Sequence, residues 1–186
     1  ENKLLLSIKN LKNFINFKDK IKKQNSEKKI SIIAEIKKSS PSAGLIVKDF
    51  NAVNIAKIYA DNGASCLSVL TEEKFFSGKL DYIKDIKNHL KIPILCKDFF
   101  IDTYQVSLAK NFGADCILII LSAVDRKLAK DLYQAAKDLN ISTLVFGGDG
   151  NDTIFTTLSD EIIQAGNGDD LIIVNNPNDA DGTNCL

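Results

Sequence analysis

Between Lys29 and Val145, short apolar runs alternate with longer amphipathic segments, and this alternation limits the fold more than any other feature. The strand-like runs are Ser31–Ile36, Cys66–Leu70, Ile92–Cys96, Cys116–Leu121 and Ser142–Val145. They are apolar on both faces, as strands of a parallel sheet covered by helices are. Helical spacing predicts helices near Asn51–Asn62, Lys79–Leu90, Asp102–Phe112 and Arg126–Leu139. Asp102 followed three residues on by Gln105 reads as a capping box, and Gly63 and Gly113 are placed to end helices. The stretch Asn62-Gly63-Ala64-Ser65-Cys66-Leu67 is echoed by Phe112-Gly113-Ala114-Asp115-Cys116-Ile117, each a helix end, a turn and a new strand. Repeated βα units imply a parallel sheet with right-handed crossovers, either doubly wound or a (βα)₈ barrel. No GxGxxG follows the first run, which disfavours a dinucleotide site. The expectation is an α/β fold, a partial (βα)₈ (TIM-type) barrel of about five βα units. A whole barrel takes roughly 250 residues, and Val145 ends only a fifth strand.

The chain has 186 residues, 45% hydrophobic and 26% charged, as a globular domain with one good core has. No run of about 18 apolar residues and no basic-then-apolar leader is present, so neither a membrane span nor a secretory signal is expected. There is no Met, so Glu1 is not an initiator and the sequence reads as a fragment. Net charge is zero but uneven: lysines crowd residues 1–29, while residues 146–186 hold acids and no Lys or Arg. The N-terminal lysines alternate with apolar residues in helical fashion, which marks a solvated helix face and no nucleic-acid partner. Cys66, Cys96 and Cys116 lie inside apolar runs as small hydrophobes, which fits a reducing, cytoplasmic setting.

Polar groups stand at the ends of the strand-like runs. Glu35 and Lys37 are two apart on a strand and leave on one face. In a barrel that places them near the C-terminal mouth, where active sites are built. The same spacing also suits an exposed edge strand. Lys97 ends the third run, either as a solvated residue or as a general acid or anion ligand. Ser39 to Ser42 form either an anion-binding loop or a plain turn. Phe75, Phe76, Phe99 and Phe100 either line a pocket for an aromatic ring or cap the core. His89 reads as a surface residue.

Together the stretches IIAEIKKSSPSAG, IAKIYADNGASCLSVLTEEKFFSGKLDYI, IPILCKDFFID and QVSLAKNFGADCILIILSAV resemble the indole-3-glycerol-phosphate synthase family. They cover most of residues 30–125 in the family's order. The resemblance implies a cofactor-free lyase of tryptophan biosynthesis. It closes an indole ring on a carboxyphenylamino-deoxyribulose phosphate with loss of carbon dioxide and water. By position, Lys97 matches the general acid for ring closure. Glu35 and Lys37 match the pair that holds and polarises the substrate. Ser40 matches the serine at its carboxylate, Phe76 and Phe99 match residues flanking the ring, and Asn175 matches the asparagine of strand six.

The chain also departs from the family. Where the fifth strand ends in Leu-Val-Glu, supplying the base, this chain has Leu144-Val145-Phe146. The loops that hold the family's phosphate, after strands seven and eight, are not reached. Ile172-Ile173-Val174-Asn175-Asn176 resembles the sixth strand, but Pro177 follows where the family has Arg, and the distance from Phe146 is several residues too long.

From Gly147 the period becomes nine: GGDGNDTIF, TTLSDEIIQ, AGNGDDLII. The first unit resembles the repeats-in-toxin nonapeptide GGxGxDxUx, which builds a calcium-binding parallel β-roll. In such a roll residues 18 apart stack. Asp152 and Asp170 would then clamp a calcium ion, with Asp149 and Asp169 nearby. The other reading is a Gly/Asp-rich loop followed by a remnant of the family's fifth helix and sixth strand. Three repeats are about the minimum for such a solenoid, so the roll is expected to be loose without calcium or a supporting surface.

The divisions expected are a truncated synthase-like barrel over 1–145, a short β-roll-like calcium segment over 146–174 and a disordered tail over 175–186. The function expected is that of the synthase, weak or absent in this chain, acting on a small phosphorylated substrate. A non-catalytic calcium-binding chain with the half barrel as scaffold is the alternative. Open sheet edges predict self-association.

Overall fold

The computed structural model describes residues 8, 14–151, 153–156 and 161–174. Helix α1 (Phe17–Ser26) precedes a six-stranded sheet made of β1 (Ile33–Ile36), β4 (Cys66–Leu70), β5 (Ile94–Lys97), β6 (Cys116–Ile120), β7 (Ser142–Asp149) and β9 (Glu161–Asn167). All neighbours pair in parallel, in the order just given. A small antiparallel pair, β2 (Ser39–Ser40) and β3 (Gly44–Leu45), follows β1. Helices α2 (Ala52–Asp61), α3 (Asp81–His89), α4 (Thr103–Asn111) and α5 (Arg126–Asp138) form the crossovers. This is a partial TIM-type barrel, as the alternation of runs implied.

Local chemistry sets the helix ends. Asn51 accepts from Asn54 N at 2.9 Å and Asp125 from Leu128 N at 2.7 Å, so each N-cap residue satisfies an amide that the first turn leaves open. Asp102 and Gln105 form the expected capping box. Gly63 and Gly113 follow their helices with φ of +90° and +98°, a backbone that side chains resist.

The strands alternate strictly between two cores. Ile36, Leu67, Val69, Ile94, Cys96, Ile117 and Ile119 face outward and pack on Ala56, Ile83, Ile86, Val106, Ala109, Leu132 and Ala136 of the helices. Inward lie Cys66, Leu95, Cys116, Leu118 and Leu144, covered by Phe17 of α1, which is wholly buried there. Burying that one ring contributes about 2–3 kcal/mol. Glu35, Lys37 and Lys97 lie at the strand ends beyond Phe17.

The C-terminal segment differs from the synthase-like expectation. Strand β7 runs unbroken through Gly147 and Gly148 to Asp149, so the change of sequence character falls inside a strand. Thr143 stands opposite Glu161 and Gly148 opposite Gly166. Strand β8 (Thr153–Thr156) pairs with β10 (Leu171–Val174), Thr153 opposite Leu171. Both offsets are 18 residues, and the hydrogen bond from Asn167 to Asp149 spans the same separation. The described strands of the segment therefore repeat at an 18-residue spacing, β9 beside β7 and β10 beside β8. The segment's first apolar eighth position, Ile154, is buried. A Cβ on Gly166 would overlap the carbonyl oxygen of Gly148, so glycine is what lets the two turns stack.

That pairing overturns one expectation. Ile172 to Val174 do not form the sixth strand of the barrel sheet. β10 belongs to the separate two-stranded sheet, and β9 occupies the sixth place. The cause is the 18-residue register, which sets residues 161–167 beside 143–149 before 171–174 can reach.

Candidate active site

Glu35 is the centre of the site. Its register partner on β4 is Ser68, whose own partner on β5 is Leu95. Lys97 lies two residues beyond Leu95 on the same inward face, level with Leu70. From there its Nζ reaches back across β4 and donates to Glu35 Oε2. Lys37 Nζ donates to Glu35 Oε1 at 2.5 Å. One carboxylate therefore holds two ammonium groups at the C-terminal ends of three neighbouring strands. Burial alone would raise the Glu35 pKa, but the hydrogen bonds from Lys37 and Lys97 outweigh it and hold the carboxyl below its ordinary range.

The group opens on a cavity of about 350 Å³. Ile33, Leu95, Leu118, Ile120, Leu144 and Phe146 form apolar walls, and Glu35, Ser68, Lys97 and Gln164 are the polar members. Phe146, which replaces the expected carboxylate, is thus part of the wall. Gln164 enters from β9, opposite Phe146, so the nonapeptide segment contributes to the cavity.

Of the other sequence-predicted substrate residues, Lys37, Ser40, Phe76 and Phe99 do not line it. Ser40 accepts from Ala43 N at 3.1 Å within the β2–β3 turn. Ser39 bonds Ser77 Oγ at 2.9 Å, which joins that turn to the loop after β4. In that loop Glu72 accepts from the amides of Lys74, Phe75 and Phe76, at 3.0, 2.7 and 3.1 Å, which fixes the loop carrying Phe76. Phe76 is half-buried and Phe99 is 43% exposed. Asn175 and Asp152 lie outside the described residues.

Of the predicted calcium ligands, Asp149 accepts from Asn167 Nδ2 at 2.8 Å, and Asp169 N donates to Asn151 Oδ1 at 3.0 Å. Among the described residues no three His, Cys, Asp or Glu are grouped to hold a metal ion. His89 bonds the carbonyl of Asp85 within α3, an exposed contact within its own helix.

Several groups escaped the sequence reading. Thr71 donates to Asp98 Oδ2 at 2.6 Å beside the site. Burial pushes the Asp98 carboxyl above its usual range, against that bond and the amide of Phe99. At the other end of the strands, Asp115 accepts from Lys87 Nζ, from Ile94 N at 2.8 Å and from Ile15 N at 3.0 Å. Lys110, only 3% exposed, donates to Asn140 O at 3.1 Å and lies over the Phe14 ring. Burial lowers its pKa to about 7. The sequence signal for this cluster was the Gly-Ala-Asp turn, which reads as a turn alone.

Cys66, Cys96 and Cys116 are free and buried. Burial pushes the thiols of Cys66 and Cys96 up to about 12 and raises that of Cys116 as well, so they serve as packing groups.

Parallel βα units here carry a lysine–carboxylate–lysine group at the strand C-termini, the end at which barrel enzymes build their sites. A family model for indole-3-glycerol phosphate synthase matches residues 2–171, and the chain belongs to that family. An indole-3-glycerol phosphate synthase of Aliarcobacter butzleri is 47% identical over 130 residues, covering 70% of this chain and 49% of the relative. One from Legionella pneumophila is 52% identical over 115 residues, 62% of this chain and 45% of the relative. A tryptophan biosynthesis protein TrpCF of Buchnera aphidicola is 46% identical over 143 residues, 73% of this chain and 32% of the relative. The chain thus spans about half or less of the length of these relatives. Among the described residues no helix is long and apolar enough to cross a membrane.

Proposed function

We propose that this chain carries the first part of an indole-3-glycerol-phosphate synthase site, a lyase site for carboxyphenylamino-deoxyribulose phosphate in tryptophan biosynthesis. The observation that carries the reading is the Glu35 carboxylate bridging Lys37 and Lys97 above an apolar cavity. Ring closure requires a proton at the substrate's ketone oxygen, and a fixed ammonium can deliver it while stabilising the charge that develops. Lys97 is the proton donor in this reading. Glu35 and Lys37 hold the substrate's polar groups, and Ser40, Phe76, Phe99 and Asn175 complete the binding of its carboxylate and ring. No cofactor is called for. With Phe146 in place of a carboxylate base, turnover by this chain is weak or absent. The reading places the chain in the cytoplasm and expects copies to associate through the free edges of β1 and β9.

The test is turnover of that substrate followed by indole fluorescence, with Lys97→Ala in parallel. Residual activity lost in the variant supports the reading. Activity unchanged by Lys97→Ala sinks it.

A second reading rests on the 18-residue stacking of the Gly/Asp turns. It is a calcium-binding chain that uses the half barrel as scaffold, with Asp149, Asp152, Asp169 and Asp170 as ligands. Far-UV circular dichroism with and without calcium separates the two readings. A calcium-dependent gain in β signal that disappears in Asp152→Ala favours the second.

A further inference from the structure

Three consecutive residues at the end of β5 contact one residue of the neighbouring chain segment. Thr71, which directly follows β4, donates its amide to the carbonyl of Lys97 at 3.1 Å. Its hydroxyl donates to Asp98 Oδ2 at 2.6 Å and lies 3.3 Å from Cys96 Sγ. Cys96 belongs to the helix-facing core, and Thr71 meets Cys96 and Asp98 on that side of the sheet. The side chain of Lys97, between them in sequence, leaves on the opposite face toward Glu35. Thr71 is only 3% exposed, so this grip lies out of water, where a hydrogen bond to a carboxylate is strong. Asp98 Oδ1 accepts from Phe99 N at 2.8 Å, and Gln105 Nε2 donates to the Phe99 carbonyl at 3.0 Å. The turn after Lys97 is therefore tied to the end of β4 on one side and to the first turn of α4 on the other. A lysine ammonium sits on a flexible alkyl stem, so its aim depends on how firmly the backbone beneath it is held.

We propose that Thr71 is a positioning residue for Lys97: its hydroxyl, through Asp98, fixes the end of β5 so that the ammonium stays on Glu35. The inference rests on the synthase reading, in which Lys97 is the proton donor, and adds the group that aims it. Thr71 does not line the cavity, so it acts through the strand end rather than on a ligand. Its amide holds the Lys97 carbonyl whatever the side chain is. The hydroxyl is what threonine adds, and its bond to Asp98 pins the residue that follows Lys97.

The test is chemical labelling of Lys97 in the full chain, since an ammonium held on a carboxylate is slow to acylate. Parent, Thr71→Val, Thr71→Ser and Glu35→Ala are treated briefly with acetic anhydride at one pH. Mass spectrometry reads acetylation of Lys97 against that of Lys127, whose side chain is 85% exposed. Glu35→Ala removes the partner outright and is expected to raise Lys97 labelling about fivefold, the scale of one partly exposed ion pair. Thr71→Val, which keeps the shape and the amide but loses the hydroxyl, is expected to raise it about two- to threefold. Thr71→Ser, which keeps the hydroxyl, is expected to label as the parent does. Should Thr71→Val fail to fold, Asp98→Ala, which cuts the same bond from its other end, is read in its place. If Glu35→Ala raises the labelling while Thr71→Val stays at the parent's level, Thr71 has only a structural role, whatever its effect on the melting temperature. The proposal then falls and the synthase reading is left standing. A rise in Thr71→Ser equal to that in Thr71→Val overturns it too, because the hydroxyl is then not the cause. If Glu35→Ala leaves the labelling unchanged, the Lys97–Glu35 bridge does not hold in solution, and proposal and reading fall together.

Discussion

Asp115 offers the sharpest quantitative test of how this half barrel holds its site in place. Its carboxylate is completely buried and satisfies three donors from distant parts of the chain: Lys87 of α3, the amide at the start of β5 and the amide of Ile15 before α1. Burial pushes its pKa up, and the charge of Lys87 pulls it back. Replacing Asp115 with alanine strands the Lys87 ammonium, whose side chain is 12% exposed. Losing one partner of a buried pair costs about 3–5 kcal/mol, and each unpaired buried amide adds about 1–3 kcal/mol, with partial overlap between the two. A total near 4 kcal/mol is a large part of the 5–15 kcal/mol typical of a domain. At a urea dependence of about 2 kcal/mol per molar, the unfolding midpoint should fall by roughly 2 M. The chain has no Trp, so ellipticity is the signal to follow. Asp115→Asn should fall by less, since an amide oxygen still accepts from the backbone. Adding Lys87→Met to that variant should restore part of the loss by removing the stranded charge. A shift under about 0.5 M for Asp115→Ala, or no recovery in the double variant, would refute the argument.

Three further outcomes are expected. Lys110 has its pKa lowered to about 7, whereas an unfolded lysine keeps its proton to about 10.5, so the unfolded chain binds more protons between these values and stability rises with pH. Below about pH 9, where the raised Cys pKa values do not yet act, the melting temperature should climb from pH 7 upward in the parent and stay flat in Lys110→Met. Gly166→Ala places a Cβ on the Gly148 carbonyl at a φ of +118°, so it should break the β7–β9 pairing and lower the melting temperature sharply. Gly63→Ala, at φ +90° with nothing within 4 Å, should cost only about 1 kcal/mol. Phe146→Glu puts a carboxylate into the cavity wall opposite the lysine group, and a positioned base is worth about 10²–10⁴ in rate, so indole formation should rise by at least about 10²-fold. An unchanged rate from a folded Phe146→Glu chain counts against the synthase reading.

The strands and helices from Lys29 to Val145 were legible in the sequence because period, caps and turn glycines are local properties. Asp102, Gln105, Gly63 and Gly113 act through their own backbone neighbours, and the structure uses each as its type demands. Glu35 stands one residue before the end of β1, Lys37 just follows that strand and Lys97 ends β5, so their place near the strand ends was legible in the same way. The nine-residue period likewise announced an 18-residue stacking.

What the sequence leaves open is everything that depends on which strand lies beside which. Ser68 is one small polar residue in an apolar run until pairing sets it level with Glu35 and under the reach of Lys97. Asp115 and Lys87 are 28 residues apart, and only the packing of α3 against the start of β6 makes them one buried pair. The place of strand six was also undecided along the chain, since Ile172 to Val174 have the apolar character and β9 has the position. Composition and periodicity act over a few residues, whereas register couples segments tens of residues apart. The local elements of this protein were therefore written in its sequence, and the membership of its cavity was decided by the sheet.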